Sequence, residues 1–175
     1  DVVFDEATRE LSTDPVDEGQ VPKAAMRFIA LLLRLQDLLL ISQERVASTF
    51  REDATKLIRE KLEGKAEIFE DLAIHKQLSE VTADLAIFAP NRNPVALFFG
   101  SSDTRVYEAL LLQSYAANKG LPCSVVTLLE TQKSVSQKQL ARASNHLDAV
   151  LFFRGFEEDA VNRLSKEVVG ASTLH

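Results

Sequence analysis

The sequence predicts an α/β domain with an α+β tendency, a mixed sheet of about five strands flanked by helices and preceded by an N-terminal helical segment. Three observations carry this. Unbroken apolar runs at Val95-Ala-Leu-Phe-Phe99, Val125-Val-Thr-Leu-Leu129 and Ala149-Val-Leu-Phe-Phe153 have the character of strands buried on both faces. They alternate with stretches of helical period, and a strand, helix, strand, helix, strand order demands parallel pairing through right-handed crossovers. Ahead of them, two strand candidates meet across a turn, which makes that part of the sheet antiparallel.

Taken in order, Val2-Val-Phe4 reads as one short edge strand, followed by an acidic, irregular loop through Asp14-Pro15. Residues 21–41 are the most apolar stretch. Pro22 suits the first turn of a helix, and Met26, Ile29, Leu33 and Leu40 continue a helical spacing, with further apolar residues on most faces. Arg27, Arg34 and Asp37 interrupt it, and its longest unbroken apolar run, Phe28 to Leu33, falls far short of the ~18 to 20 residues of a membrane span. A helix apolar nearly all round must be buried, either in its own fold or against a second copy. The chain therefore divides into residues 1–41, for dimerisation or packing, and a domain over residues 42–175.

Ser42 is the predicted cap of a second helix running to Leu62, with Val46, Phe50, Ala54, Leu57 and Ile58 on one stripe and Gly64 as its stop. Glu52, Lys56 and Glu60 lie four apart on the outer face, a solvated row of charges. The period then shortens. Ala66 to Ile74 is a weak strand candidate, Ala83 to Ala89 a better one, and Val95 to Gly100 follows across Pro90-Asn-Arg-Asn-Pro94. A helix is predicted from Ser102 or Asp103 through Asn118, with Val106, Ala109, Leu110 and Leu111 on its apolar face and Gly120 at its end. Strand Ser124 to Leu129, helix Ser136 to Leu147, strand Ala149 to Phe153 and helix Glu157 to Val168 complete the order.

The 175 residues and 46% apolar content suit one domain with a short appendage and an ordinary core. Cys123 is the single cysteine, which excludes an internal disulfide framework and points to a reducing cytoplasm. Three histidines without partnered spacing speak against structural zinc. Of the formal charge of -6, the excess of acids sits in the first 22 residues, and nineteen acids balance nineteen bases beyond them. A neutral body advertises no nucleic-acid field. The chain starts at Asp1 without an initiator methionine or a leader, and reads as a fragment lacking its natural start.

The order of helix, three meandering strands, helix and strand resembles the core of the restriction-endonuclease-like, or PD-(D/E)xK, superfamily. The resemblance implies an Asp opening the second strand, an acid-x-Lys on the third, and a divalent metal between them. Asp84 stands where that Asp would, and magnesium, whose ligands are hard oxygens, would be the cofactor of an active nuclease. The third strand departs from the pattern, because Leu97-Phe98-Phe99 can neither ligate a metal nor position a water. Asp103 and Glu108, on the following helix, are the nearest replacements. One carboxylate binds catalytic metal poorly, so Asp84 as a strand-end capping residue is the plainer assignment, with no cofactor.

Val46-Ala-Ser-Thr-Phe-Arg-Glu-Asp53, Ala83-Asp84-Leu, Pro94-Val-Ala-Leu-Phe, Ser102-Asp103, Tyr107-Glu-Ala-Leu-Leu-Leu-Gln113 and Thr127-Leu-Leu-Glu130 together resemble a bacterial and prophage-associated domain family without an assigned reaction. The resemblance implies a nuclease-like fold and no particular activity. It also implies missing residues at the join near Leu11 to Gln20.

Gly100-Ser101-Ser102-Asp103, at a strand end and a helix start, forms a candidate anion site in Gly100, Ser101 and Ser102, although Asp103 opposes an anion and simple capping is the alternative. Lys133, Lys138 and Arg142, with Arg154 after the next strand, are candidate phosphate contacts, weighed against a solvated helix face. Tyr107, Leu111 and Tyr115 read as core packing, and Cys123 as a small buried residue without a nearby base. The leading expectation is a non-catalytic interaction or regulatory protein on a degenerate nuclease-like scaffold, cytoplasmic, homodimeric through residues 21–41, and bound to a protein partner. A metal-dependent nuclease with a migrated carboxylate and a small-anion binder are its alternatives.

Overall fold

A computed structural model describes residues 2–5, 8 and 10–170, those at 40–48 by their backbone alone. Predictions for the side chains of Leu40, Ser42 and Val46 lie outside the described residues. Two compact units divide the chain, Asp1–Ser48 and Thr49–His175.

In the first unit, β1 (Val2–Asp5) pairs antiparallel with β2 (Glu10–Thr13), with Phe4 opposite Leu11. The sequence predicts a lone strand and a loop here. Leu11 is the one apolar residue of β2, so no alternation announces it, and pairing with β1 creates the strand. Helix α1 (Val21–Leu62), whose residues 49–62 belong to the second unit, runs unbroken for 42 residues, which corrects the expected break before Ser42. No Gly or Pro stands between Lys23 and Leu62, and a serine inside a helix costs only a fraction of a kcal/mol, roughly 0.5.

The second unit holds a five-stranded sheet in the order β3 (Glu67–Leu72), β4 (Ala83–Phe88), β5 (Val95–Phe99), β6 (Ser124–Leu129), β7 (Ala149–Phe152). The first three strands pair antiparallel and the last three parallel, as the sequence predicts. Helices α2 (Asp103–Lys119), α3 (Gln137–His146) and α4 (Glu157–Val169) complete the unit. Successive side chains of a strand point to opposite faces, so each central strand feeds two cores. Leu85, Leu97, Phe99, Val126 and Leu128 pack with Phe50, Ala54 and Ile58 of α1 and with Ala160 and Leu164 of α4. Ala86, Phe98, Val125 and Leu129 pack with α2 and α3 on the other side.

Ser102 caps α2 by accepting from the Arg105 N–H, and Gly120 closes the helix in the left-handed conformation at φ 62°. The buried face of α2 is Val106, Ala109, Leu112 and Ala116, where the sequence predicts Leu110 and Leu111. Those two are half-buried at the margin of the face, and Tyr107, expected in the core, is exposed. The apolar excess of the segment hid which stripe faces inward. Glu52, Lys56 and Glu60 are exposed, as expected of a solvated row.

Candidate functional site

Charged side chains line the end of the sheet at which β5, β6 and β7 finish and β4 begins. Asp84, the second residue of β4, is 3% exposed. Its Oδ2 accepts from the Phe99 N–H at 2.8 Å and from Arg105 Nε at 3.1 Å. Its Oδ1 lies 2.9 Å from Arg105 Nη2 and 3.2 Å from Arg51 Nη1. A buried carboxylate must be paired and hydrogen-bonded to remain charged, and this arrangement supplies both conditions.

Arg51 rises from α1, with its Nη2 3.0 Å from Asp71. Strand register explains that contact: Glu70 pairs with Leu85 and Leu72 with Ala83, so Asp71 and Asp84 lie side by side between those pairs. Two like charges at that spacing repel, and Arg51 neutralises both. Asp71 adopts φ 49°, a left-handed conformation that aspartate tolerates better than most residues. Arg105 also pairs with Glu108 one turn along α2 and donates to the Thr82 carbonyl at 3.3 Å. The two guanidinium groups lie over aromatic rings, Arg105 5.1 Å from the centre of Phe98 and Arg51 5.8 Å from that of Phe99.

Three predicted site residues can now be placed. Asp84 and Glu108 are brought together, but on one arginine. Asp103 is elsewhere: its carboxylate accepts from the Ser136 N–H at 2.7 Å and ties the start of α2 to the start of α3. Hydrogen bonds from the Ser136 side chain and backbone hold the Asp103 carboxyl below the ordinary aspartate range. Among the described residues, no group of three or more His, Cys, Asp or Glu side chains is placed to hold a metal ion.

At the predicted anion turn, the Gly100 N–H donates to Leu128 O at 2.8 Å and the Ser101 N–H to Phe99 O at 2.9 Å, while Ser102 Oγ caps α2. The two amides are therefore used inside the protein. Gly100 itself answers to packing. A Cβ there would meet Thr127 Cγ2 at 2.9 Å and Leu129 Cδ2 closer still.

Lys133 stands on a short 3-10 turn, and Lys138 and Arg142 on α3; all three are exposed, and Arg142 donates to Gln139 at 3.4 Å. Arg154 serves a different set, 3.1 Å from Glu130 and 3.5 Å from Asp53. The Glu130 hydrogen bond is the main cause that raises the Arg154 pKa. Burial, and then the charge of Asp148, push the Cys123 thiol up, away from nucleophilic character.

Sequence reasoning missed Arg51 and Arg105. Arg105 did leave a signal: a cation in the first turn of a helix opposes the macrodipole and needs a local acid to hold it there. Arg51 left none, since its partners come from two strands brought beside α1 only by folding. No helix among the described residues is long and apolar enough to cross a membrane. No protein-family model, curated protein or solved structure matches this chain.

Proposed function

We propose that the chain is a non-catalytic interaction or regulatory protein on a degenerate nuclease-like scaffold, homodimeric through residues 21–41 and bound to a protein partner. The observation that supports this is the occupancy of Asp84, the one acid at the position of a nuclease metal ligand. Both its oxygens are engaged by arginine, and a divalent cation there would have to displace two guanidinium groups of its own sign. Leu97, Phe98 and Phe99, where an acid-x-Lys pair would stand, are all buried in the two cores.

Support for the dimer comes from α1, where Met26, Ile29, Leu32, Leu33, Leu35, Leu38 and Leu39 are exposed. Met26, Ile29 and Leu33 recur at helical spacing along one stripe, an apolar face that a second copy would cover.

Labelled single- and double-stranded DNA and RNA, incubated with magnesium or manganese and either the protein or Asp84→Asn, would test the first part. Neither protein is expected to cleave. Cleavage that Asp84→Asn abolishes would establish a metal-dependent nuclease with a migrated carboxylate instead. Sedimentation of the chain against Ile29→Asp/Leu33→Asp tests the helix contact, which predicts weaker association in the variant.

A further inference from the structure

The two edges of the five-stranded sheet are built differently. On β3, Glu67, Glu70 and Asp71 line the edge, with Glu70 2.7 Å from Arg59 and Asp71 3.0 Å from Arg51. Charges on an edge strand are a standard defence against further pairing. β7 has no such defence. Ala149-Val-Leu-Phe152 carries no charge and no proline, its register with β6 runs without a bulge, and Ala149, Val150 and Phe152 are only partly covered. Among the described residues no strand lies beyond it. A groove of about 280 Å³ opens along its first half, lined by Ser144 of α3, by Asp148, and by Arg163 and Glu167 of α4.

We propose that the β7 edge pairs antiparallel with β7 of a second copy about a two-fold axis, joining the two sheets into one. The distribution of charge selects this occupant. Asp148 and Arg154 flank β7 but are engaged within the chain, Asp148 by the Val125 N–H at 2.7 Å and Arg154 by Glu130 and Asp53, so the charges that select the orientation are those of α4. An antiparallel two-fold sets the start of one strand beside the end of the other. Arg163 and Glu167 stand one turn apart on the exposed side of α4, and the same axis turns each towards its opposite on the second copy. Val150, at the middle of the strand, is the apolar residue such an axis covers. This contact uses none of residues 21–41, so the two assembly surfaces are separable by substitution.

The test is sedimentation equilibrium over a concentration series on full-length chain carrying Ile29→Asp/Leu33→Asp, in which the helix contact is removed. That chain is expected to dimerise still. Val150→Lys should raise its dissociation constant at least tenfold, and Leu72→Lys on the charged β3 edge should leave it unchanged. Arg163→Glu and Glu167→Arg should each weaken self-association, and an equimolar mixture of the two should recover it, since only the mixed pair restores opposite charges. The two α4 variants sit on an exposed helix face, so this arm stands even if Val150→Lys fails to fold. A monomer at every concentration, or a mixture no tighter than its components, would overturn the proposal. So would binding of an extended peptide at β7 that leaves self-association untouched.

Discussion

Arg105 grips Asp84 by both carboxylate oxygens, Nε 3.1 Å from Oδ2 and Nη2 2.9 Å from Oδ1, and so fastens the first turn of α2 to the start of β4. The planar fork of a guanidinium matches a carboxylate in a way that lysine does not. Burial opposes the charge on Arg105, and hydrogen bonds and attraction from Asp84, then Glu108, outweigh it and raise its pKa.

Removing Asp84 strands that arginine. Asp84→Ala is expected to lower stability by about 3 kcal/mol, the cost of breaking a buried pair from one side. Arg51 is 38% exposed and recovers its hydration, so the loss arises mainly at Arg105 and at the Phe99 N–H. In a double-mutant cycle by urea unfolding, Asp84→Ala and Arg105→Ala should couple by ~1 to 3 kcal/mol. Additive effects would show that the pair contributes nothing together.

Gly100→Ala should destabilise by about 1 to 3 kcal/mol, because the added methyl overlaps Leu129 and Thr127, both fully buried on β6. Neighbouring Ser101 is exposed, so Ser101→Ala should stay within ~0.5 kcal/mol. Thermal melts of the two variants separate a packing glycine from an anion loop, which would tolerate neither change in ligand binding.

Thr127 carries its hydroxyl into the α2 side of the core, where Oγ1 is buried without a hydrogen-bond partner. Thr127→Val keeps the shape and removes the stranded group, so it should raise stability by ~1 kcal/mol. A loss measured by denaturant titration would mean that the hydroxyl is satisfied in solution.

The Asp103 to Ser136 bond makes a pH-dependent link between α2 and α3. The folded pKa of Asp103 lies below the unfolded value of about 3.9, so its stabilising effect is complete above that pH. It is lost as pH falls through the folded pKa. Asp103→Asn should therefore melt at a lower temperature than the parent near neutrality, and the gap should close in strong acid. A gap that persists at pH 2 would point to a steric cause.

Cys123 should react slowly with iodoacetamide at pH 7, because burial and the charge of Asp148 disfavour the thiolate. Unfolding in urea should restore the rate of an ordinary thiol. Fast reaction of the folded chain would contradict the half-buried placement.

Strands β4 to β7 were legible in the sequence because they are apolar runs, the last three separated by helices with clear stops, such as Ser102 before α2 and Gly120 after it, whereas β3, with Glu67, Glu70 and Asp71, read only as a weak candidate. β2 was not legible, since one leucine among polar residues has no period of its own. The unbroken α1 was obscured by Ser42, which resembles a cap but is tolerated inside a helix that has no competing break. Asp84 could be singled out by position, while its partners could not.

Local chemistry by itself determined the α/β class, the order of elements, the change from antiparallel to parallel pairing and the isolation of Asp84 from any acid-x-Lys pair. These follow from periods and turn residues within a few positions of one another. Only the tertiary structure decided that Asp84 is held by Arg51 and Arg105, that Asp103 serves Ser136, and that β7 is left as an apolar edge. Each depends on groups 21 or more residues apart, whose approach is set by strand register and helix packing, and a sequence period does not encode such distances.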